Sequence, residues 1–177
     1  MKNILIFDTE TTGFKDPRMI QFAYKTDKLS FESMYNPGRP IEEGAVKCHG
    51  ITDEMVKDKE DFHKTSDKKI IQMLVDENIS VAHNAKFDLK ILAIEGIMIP
   101  RSICTYQCCL NILNRPNKKG HNQLQNLKEE FNLEIPEGTK AHDAMGDVIV
   151  LEQLFYYILS QMKGTDEEKI KRMINAS

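Results

Sequence analysis

Two acidic residues follow the most apolar stretch near the start of this sequence. The stretch ILIF leads directly into Asp8, and Glu10 comes two residues later. Because side chains alternate between the faces of a strand, Asp8 and Glu10 point to the same face. Neighbouring like charges repel one another unless a cation neutralises them. Oxygen ligands favour Mg²⁺ or Mn²⁺ over zinc, so this strand predicts half of a metal site.

A third carboxylate, Asp88, belongs to the segment VAHNAKFDLKIL. On the helix predicted for this segment, the face of Asp88 also carries the apolar residues Ala85, Ile91 and Leu92. A carboxylate on such a face is costly to bury without a positive partner. Asp88 is therefore a candidate for the same metal site.

The segment AHDAMGDVIVLEQL offers a choice of acidic residues. Asp143 and Asp147 are four residues apart and would share a helix face, so spacing alone allows both as ligands. Asp143 is also explained by the preference for acidic residues in a first helical turn. Four apolar residues follow Asp147 directly, so a solvent-exposed role explains it less well. His142 falls on the loop that enters the helix, from which it could reach a site.

Carboxylates from three segments, with a histidine close to one of them, fit the hydrolysis of a phosphodiester. Two divalent ions about 4 Å apart can activate a water molecule and stabilise the leaving oxygen. A histidine, whose pKa lies near neutrality, can accept the proton of that water. This pattern predicts a metal-dependent phosphoryl hydrolase, and by itself it names no substrate.

Composition limits the class of protein but not the substrate. The chain of 177 residues is 41% hydrophobic and 29% charged, which favours one soluble domain. No apolar run has the length of a membrane span. The net charge of −3 excludes a globally basic nucleic-acid binder, yet local lysines and arginines would suffice for a nuclease. Four cysteines without disulfide-scaffold density favour a reducing compartment, so a cytoplasmic location is expected.

Hydrophobic periodicity predicts an α/β domain with a mixed sheet and helices on both faces. Strands are predicted at 3–8, 18–25, 29–35, 79–82 and 101–105, with the second and third as an antiparallel hairpin. Helices are predicted near 41–47, 53–57 and 66–76, from a cap at Asn84 to about Glu95, and at 106–114, 122–131 and 143–162. The capping box TDEE predicts a last short helix over about 165–175.

A zinc site is a competing hypothesis for the cysteines. The possible zinc ligands are Cys104, Cys108, Cys109 and His121. Their spacing matches no standard zinc pattern, whereas Cys104 and Cys108 fit the packing surface of a strand end and a helix. The cysteines are therefore predicted to pack in the core.

Three segments resemble the motifs of one enzyme family. FDTETTG, VAHNAKFD and HDAMGD are similar, in this order, to the three motifs of the DEDDh (DnaQ-like) 3′–5′ exonucleases, and HGIT resembles a further family element. The likeness extends over about 4–160. Within this superfamily, ICT and the segment 132–148 are most similar to the bacterial exonuclease X branch. The resemblance implies an RNase H-like fold with a mixed five-stranded sheet over a single exonuclease domain, 1–177.

The resemblance also implies roles for individual residues. It implies that two Mg²⁺ or Mn²⁺ ions are held by four carboxylates, Asp8, Glu10, Asp88 and Asp147, and so favours Asp147 over Asp143. His142 would be the general base. The pocket for the terminal nucleotide would be lined by Thr11, Thr12, His49 and Phe87. Substrate contacts are expected among nearby cations: Lys47, Lys86, Lys90, Arg115, Lys118, Lys119 and Lys140.

The implied activity is hydrolysis of DNA from its 3′ end, with single strands preferred and nucleoside 5′-monophosphates released. Alternatives are an RNA-trimming exoribonuclease similar to ribonuclease T or oligoribonuclease, a polymerase proofreading subunit, or a non-catalytic nucleic-acid-binding domain. The chain shows no long tail of the kind by which proofreading subunits bind their polymerase, so a free-standing enzyme is expected. The sequence leaves open whether it is a monomer or a homodimer.

Overall fold

A mixed sheet of five strands forms the centre of the fold, in the order β3-β2-β1-β4-β5. The computed structural model describes residues 3–135 and 144–177. The strands are β1 (Ile4–Thr11), β2 (Met19–Lys25), β3 (Ser30–Met34), β4 (Ile79–Ala82) and β5 (Ser102–Cys104). The pairs β1·β2 and β2·β3 are antiparallel, whereas β1·β4 and β4·β5 are parallel. This arrangement confirms the predicted mixed five-stranded sheet.

Eight α-helices flank the sheet in the part of the chain that the structure describes. They are α1 (Glu43–His49), α2 (Asp53–Val56), α3 (Asp67–Glu77), α4 (Lys86–Ile94), α5 (Thr105–Asn111), α6 (Leu124–Glu130), α7 (Ala144–Ser160) and α8 (Asp166–Ala176), with a 3₁₀ turn at Phe62–Lys64. Within these residues, no helix is both long and apolar enough to span a membrane. The predicted capping box is present, because Thr165 accepts the Glu168 N–H and Glu168 accepts the Thr165 N–H.

The two faces of β1 contribute to two separate cores. Ile4 and Ile6 pack with residues of α5 to α8, and Leu5 and Phe7 pack with residues of α3 and α4. Burial of each such side chain contributes about 1.5–3 kcal/mol. Helices therefore cover both faces of the sheet, as predicted. Continued alternation places Asp8 and Glu10 on the α7 side of the strand.

Two boundaries differ from the predictions in ways that affect the site. Strand β1 continues to Thr11 instead of ending at residue 8, because β2 pairs with it from Ile6, opposite Lys25, to Thr11, opposite Met19. Helix α4 begins after Ala85, which makes no side-chain capping hydrogen bond. The prediction that Asn84 caps this helix is therefore wrong. Asn84 instead takes a left-handed conformation with φ of 58° in the turn between β4 and α4.

Helix α7 is apolar around most of its circumference. Ten of its residues are buried, including Val148, Val150, Leu151, Leu154 and Phe155. A helix with apolar residues all round needs cover on several sides, and α7 packs against β1 and β2 and against α5 and α6. The packing of this helix therefore fixes the position of Asp147, which lies in its first turn. Residues 136–143 lie outside the described residues, so the predictions for Lys140, His142 and Asp143 cannot be compared with the structure.

Candidate active site

Three carboxylates converge where the end of β1 meets the first turn of α7. Carboxylate oxygens of Asp8, Glu10 and Asp147 all lie within 4.8 Å of one another. Asp8 and Glu10 point to one side of β1, and α7 crosses that side with Asp147 in its first turn. Within residues 3–135 and 144–177, this is the one group of acidic, histidine or cysteine side chains with metal-binding geometry.

Asp88 approaches the cluster from α4, on the opposite face of β1. Its side chain is 3% exposed, and its neighbours Ala85, Ile91 and Leu92 are also buried, as the sequence predicts. The Thr9 hydroxyl donates to Asp88 Oδ1 across 2.7 Å. Thr9 lies between Asp8 and Glu10 and points to the other face, so β1 positions carboxylates on both of its sides. Sequence reasoning missed Thr9, although strand alternation places it on the face of α4.

Burial and mutual repulsion make these carboxylates hard to ionise. Burial is the main cause that raises the pKa of Asp8 well above its usual value, followed by the charges of Asp88, Glu10 and Asp147. Burial likewise raises the pKa of Asp88 to about 7, although the hydrogen bond from Thr9 acts in the opposite direction. A divalent cation would relieve both effects, and the all-oxygen donor set suits Mg²⁺ or Mn²⁺.

A second hydrogen bond positions Asp147 from the side of α6. Gln125 Nε2 donates to Asp147 Oδ1 across 2.7 Å. Outer contacts of this kind orient a ligand and keep one of its oxygens directed at the ion. Gln125 has no sequence signal of its own, because it comes from a separate helix and belongs to none of the motifs.

A pocket of about 390 Å³ opens beside Glu10. Thr11, His49 and Phe87 line it, together with residues that the sequence analysis did not select: Gly13, Phe14, Glu42, Gly44, Ala45, Cys48 and Asn84. The pocket lies between the end of β1, helix α1 and the start of α4. Three of the four residues predicted for the terminal nucleotide are therefore neighbours of the carboxylate cluster.

The side chains around this pocket are held by specific contacts. His49 Nδ1 accepts the Ile51 N–H at 3.0 Å, which leaves Nε2 protonated to donate to the Thr11 carbonyl oxygen at 3.2 Å. Phe14 is 86% exposed, and its ring meets Phe87 edge to face at 6.1 Å. Thr12 is buried beyond the pocket lining, where its hydroxyl accepts the Arg18 N–H at 3.0 Å.

Glu42 closes the turn that follows β1. Its Oε1 accepts the Lys15 N–H at 3.0 Å, and its own N–H donates to the Thr12 carbonyl oxygen at 2.8 Å. Gly13 has φ of +135°, and a Cβ there would lie 2.2 Å from the Glu42 carboxyl carbon. Only glycine fits this turn while the Glu42 carboxylate occupies it.

Two further polar residues, His83 and Arg115, have structural contacts. His83 Nε2 donates to the Asn122 carbonyl oxygen at 2.7 Å, and its Nδ1 contacts the Thr105 hydroxyl at 2.8 Å. Burial lowers the pKa of His83 to about 4, so this histidine is neutral near pH 7. Arg115 makes two hydrogen bonds of 2.6 Å to the Glu130 carboxylate and stacks 5.1 Å above the Phe131 ring. These contacts account for Arg115 without a substrate.

The three cysteines of the zinc hypothesis pack in the core as predicted. Cys104, Cys108 and Cys109 are buried between β5, α5 and the helices above them, and Cys48 on α1 is exposed at the pocket. Burial raises the pKa of Cys108 and of Cys109 to about 12, which keeps both thiols protonated. The described residues around them contain no zinc-type cluster.

Comparisons with known proteins agree with this geometry. The sequence model of the RNase T type, described as "Exonuclease", matches residues 5–155. The chain is 28% identical to a DNA polymerase III subunit epsilon-like protein of Rhodobacter capsulatus, across 90% of the chain and 24% of that protein. It is 30% identical to the PolC-type DNA polymerase III of Bacillus subtilis, across 94% of the chain and 12% of that protein. The chain thus spans a quarter or less of the length of these two relatives.

Solved structures show the same fold. Exonuclease X in complex with 5′ overhanging duplex DNA superposes with a TM-score of 0.75 and 25% identity, over 98% of both chains. The nuclease domain of 3′hExo, a DEDDh family member bound to rAMP, gives a TM-score of 0.71 at 16% identity, over 90% of this chain and 92% of that chain. The second likeness concerns the fold alone.

Proposed function

The chain belongs to the DEDDh (DnaQ-like) exonuclease family, and from this premise we propose that it removes nucleotides one at a time from the 3′ end of DNA. The convergence of Asp8, Glu10 and Asp147 beside a pocket sized for one nucleotide carries the proposal. Single-stranded ends are the proposed substrate, because only an unpaired terminal nucleotide can enter such a pocket without breaking base pairs. The products are nucleoside 5′-monophosphates.

The four acidic residues provide the ligands for divalent ions. Asp8, Glu10 and Asp147, with Asp88 next to them, would hold two Mg²⁺ or Mn²⁺ ions, which activate the attacking water and neutralise charge at the phosphate when bound. Thr9 and Gln125 keep two of these carboxylates oriented. In this proposal His142 takes the proton of the attacking water, in keeping with its position five residues before Asp147.

DNA is favoured over RNA by the relatives rather than by a contact to the sugar. The solved structure with the highest coverage of this chain among those cited is exonuclease X in complex with 5′ overhanging duplex DNA. The two relatives described above are a DNA polymerase III subunit epsilon-like protein and a PolC-type DNA polymerase III, which supports a second candidate function, proofreading beside a polymerase. An RNA-trimming role would require contacts to the 2′-hydroxyl group.

Hydrolysis of labelled oligonucleotides tests the proposal. DNA and RNA strands of equal sequence, labelled at either end, are incubated with Mg²⁺, Mn²⁺ or EDTA. We expect 3′–5′ shortening of DNA with either metal and none with EDTA. Asp8→Asn should abolish the reaction, and His142→Ala should slow it about 10²- to 10⁴-fold. Asp27→Asn, at the exposed β2–β3 turn, is the matched control.

Three results would contradict parts of this proposal. Hydrolysis in EDTA would exclude a metal-dependent mechanism. Faster shortening of RNA than of DNA would favour the ribonuclease alternative. Full activity of His142→Ala would remove His142 as the general base, while leaving the metal site in place.

A further inference from the structure

A second concave surface begins where the pocket beside Glu10 ends. It is a groove of about 840 Å³ between the start of α4, strand β5, helix α5 and the end of α8. Asn84 lines both the pocket and the groove. The next residues divide between the two, because Phe87 faces the pocket and Lys86 faces the groove. A chain that leaves the pocket past Asn84 enters the groove directly.

Two cations line the groove in a protein whose net charge is −3. Lys86 and Arg101 line it, and no aspartate or glutamate does so among the described residues. Neither cation forms an ion pair within the described part of the chain. Arg115 and Lys47 differ in this respect, because they are bound to Glu130 and Glu43. Lys86 and Arg101 therefore keep their charge available for an anion.

The rest of the lining combines amide side chains with apolar residues. Gln107 and Asn111 contribute side-chain amides from α5, and Asn175 adds another from the end of α8. Amides both donate and accept hydrogen bonds, so they suit base edges and sugars of any sequence. Leu89, Pro100 and Ile174 add apolar surface. The two cations supply the attraction to phosphates on which binding of nucleic acid without sequence preference depends.

We propose that this groove, with Lys86 and Arg101 as its phosphate contacts, holds the part of the nucleic-acid substrate that lies beyond the terminal nucleotide. The inference rests on the proposed function, and it adds the path of the substrate and the expectation that longer strands bind more tightly. Charge complementarity favours an anionic occupant, and continuity with the pocket through Asn84 supports a nucleic acid over an acidic peptide.

Charge reversal at both cations tests the groove separately from catalysis. The double variant Lys86→Glu, Arg101→Glu is compared with Lys28→Glu, Lys69→Glu, which changes the net charge equally at exposed positions on the β2–β3 turn and on α3. Affinity for 5′-labelled DNA strands of 2 to 20 nucleotides is measured by fluorescence anisotropy in EDTA, over a range of salt concentrations. Turnover of the 4-nitrophenyl ester of thymidine 5′-monophosphate with Mn²⁺ reports on the catalytic centre alone.

In the wild type we expect affinity to increase with strand length, and the groove variant should lose most of this increase, about tenfold for the 20-mer. The slope of log affinity against log salt should fall by about 1.4, which corresponds to two phosphate contacts on a single strand. Ester turnover should stay unchanged, and the control variant should behave as the wild type.

Other results identify which idea fails. If the affinity of the groove variant depends on strand length and on salt as that of the wild type does, the proposed role of the groove is wrong. The same conclusion follows if the control variant loses as much affinity as the groove variant. Loss of ester turnover in the groove variant would also overturn it, because these residues would then act on the catalytic centre. If the wild type turns over no ester but binds strands in a length- and groove-dependent manner, the groove stands and the proposed hydrolysis fails.

Discussion

The Thr9 hydroxyl donates a hydrogen bond to Asp88 Oδ1 across 2.7 Å and thereby joins the central strand to helix α4. Thr9 is buried, so no water replaces this bond if the hydroxyl is removed. The strand thus carries Asp8 and Glu10 on one face and, through Thr9, holds a third carboxylate on the other. The segment DTE therefore positions three carboxylates: those of Asp8 and Glu10 directly, and that of Asp88 through the Thr9 hydrogen bond.

Replacing Thr9 by valine should shift the pH dependence of hydrolysis. The Thr9 hydrogen bond lowers the pKa of Asp88, so Thr9→Val should raise this pKa and move the acid limb of the pH–rate profile to higher pH. Stability should fall by about 1 kcal/mol, the typical contribution of one hydrogen bond. Steady-state rates between pH 5 and 9 provide the measurement. Thr9→Ser keeps the hydroxyl and should restore the profile; an unshifted profile in Thr9→Val would contradict the positioning role.

Asp8 and Asp88 should destabilise the metal-free protein as the pH rises from about 4 to about 7, against the opposite contribution of His83. In this window the folded protein retains protons on Asp8 and Asp88, whose pKa values are raised, while the unfolded chain has released them. Stability falls with pH wherever the folded state binds more protons. The contribution of Asp88 is at most about 4 kcal/mol. Melting curves in EDTA should show this contribution as a difference between the wild type and Asp88→Asn.

Mg²⁺ should reverse this loss, because it neutralises the same carboxylates. We expect the increase in melting temperature with Mg²⁺ to be larger at pH 8 than at pH 5. Equal increases at both pH values would indicate that the ions bind elsewhere.

His83 should cause a separate loss of stability in acid. Its pKa is about 4 in the folded protein and about 6.5 in an unfolded chain, so the unfolded state binds more protons between these values. The contribution of His83 is therefore complete above pH 6.5 and is lost as the pH falls towards 4, by at most about 3 kcal/mol. Urea unfolding of His83→Gln, which can still donate to the Asn122 carbonyl oxygen, should show less loss of stability from pH 7 to pH 4.5 than the wild type. An identical difference in variant and wild type would exclude His83 as the cause.

Loss of the Gln125 amide should weaken metal binding more than it weakens the fold. Gln125 Nε2 orients Asp147, and removal of such outer contacts commonly costs 10- to 100-fold in metal affinity. We expect Gln125→Ala to reduce Mn²⁺ affinity about tenfold in calorimetric titrations. Glu129→Ala, at an exposed position on the same helix, should leave it unchanged. A loss of melting temperature without a loss of Mn²⁺ affinity would assign Gln125 a structural role only.

The sequence predicted those features that depend on local alternation or on short capping patterns. Strand β4 matches its predicted bounds, and the capping box at Thr165 forms as expected. The shared face of Asp8 and Glu10 follows from the two-residue period of a strand, and the buried face of Asp88 follows from helical spacing. These are the properties that neighbouring residues determine on their own.

Other features depend on partners that are distant in the sequence. Strand β1 is longer than predicted because β2 pairs with its polar end. Asn84 was expected to cap α4, but the turn requires a left-handed residue there, which asparagine tolerates better than most. Gln125 could not be recognised, because its partner Asp147 lies on a different helix. That the whole chain forms one domain, and that His142 is the base, stay predictions.

The acidic cluster draws its members from the first strand and from a helix near the far end of the chain. During synthesis on the ribosome, β1 emerges early, but α7 becomes available only after the residues up to Ser160 have left the exit tunnel. A partly synthesised chain therefore cannot assemble the cluster, however well its first strands have folded. Any activity that depends on the cluster therefore begins only after α7 has been synthesised.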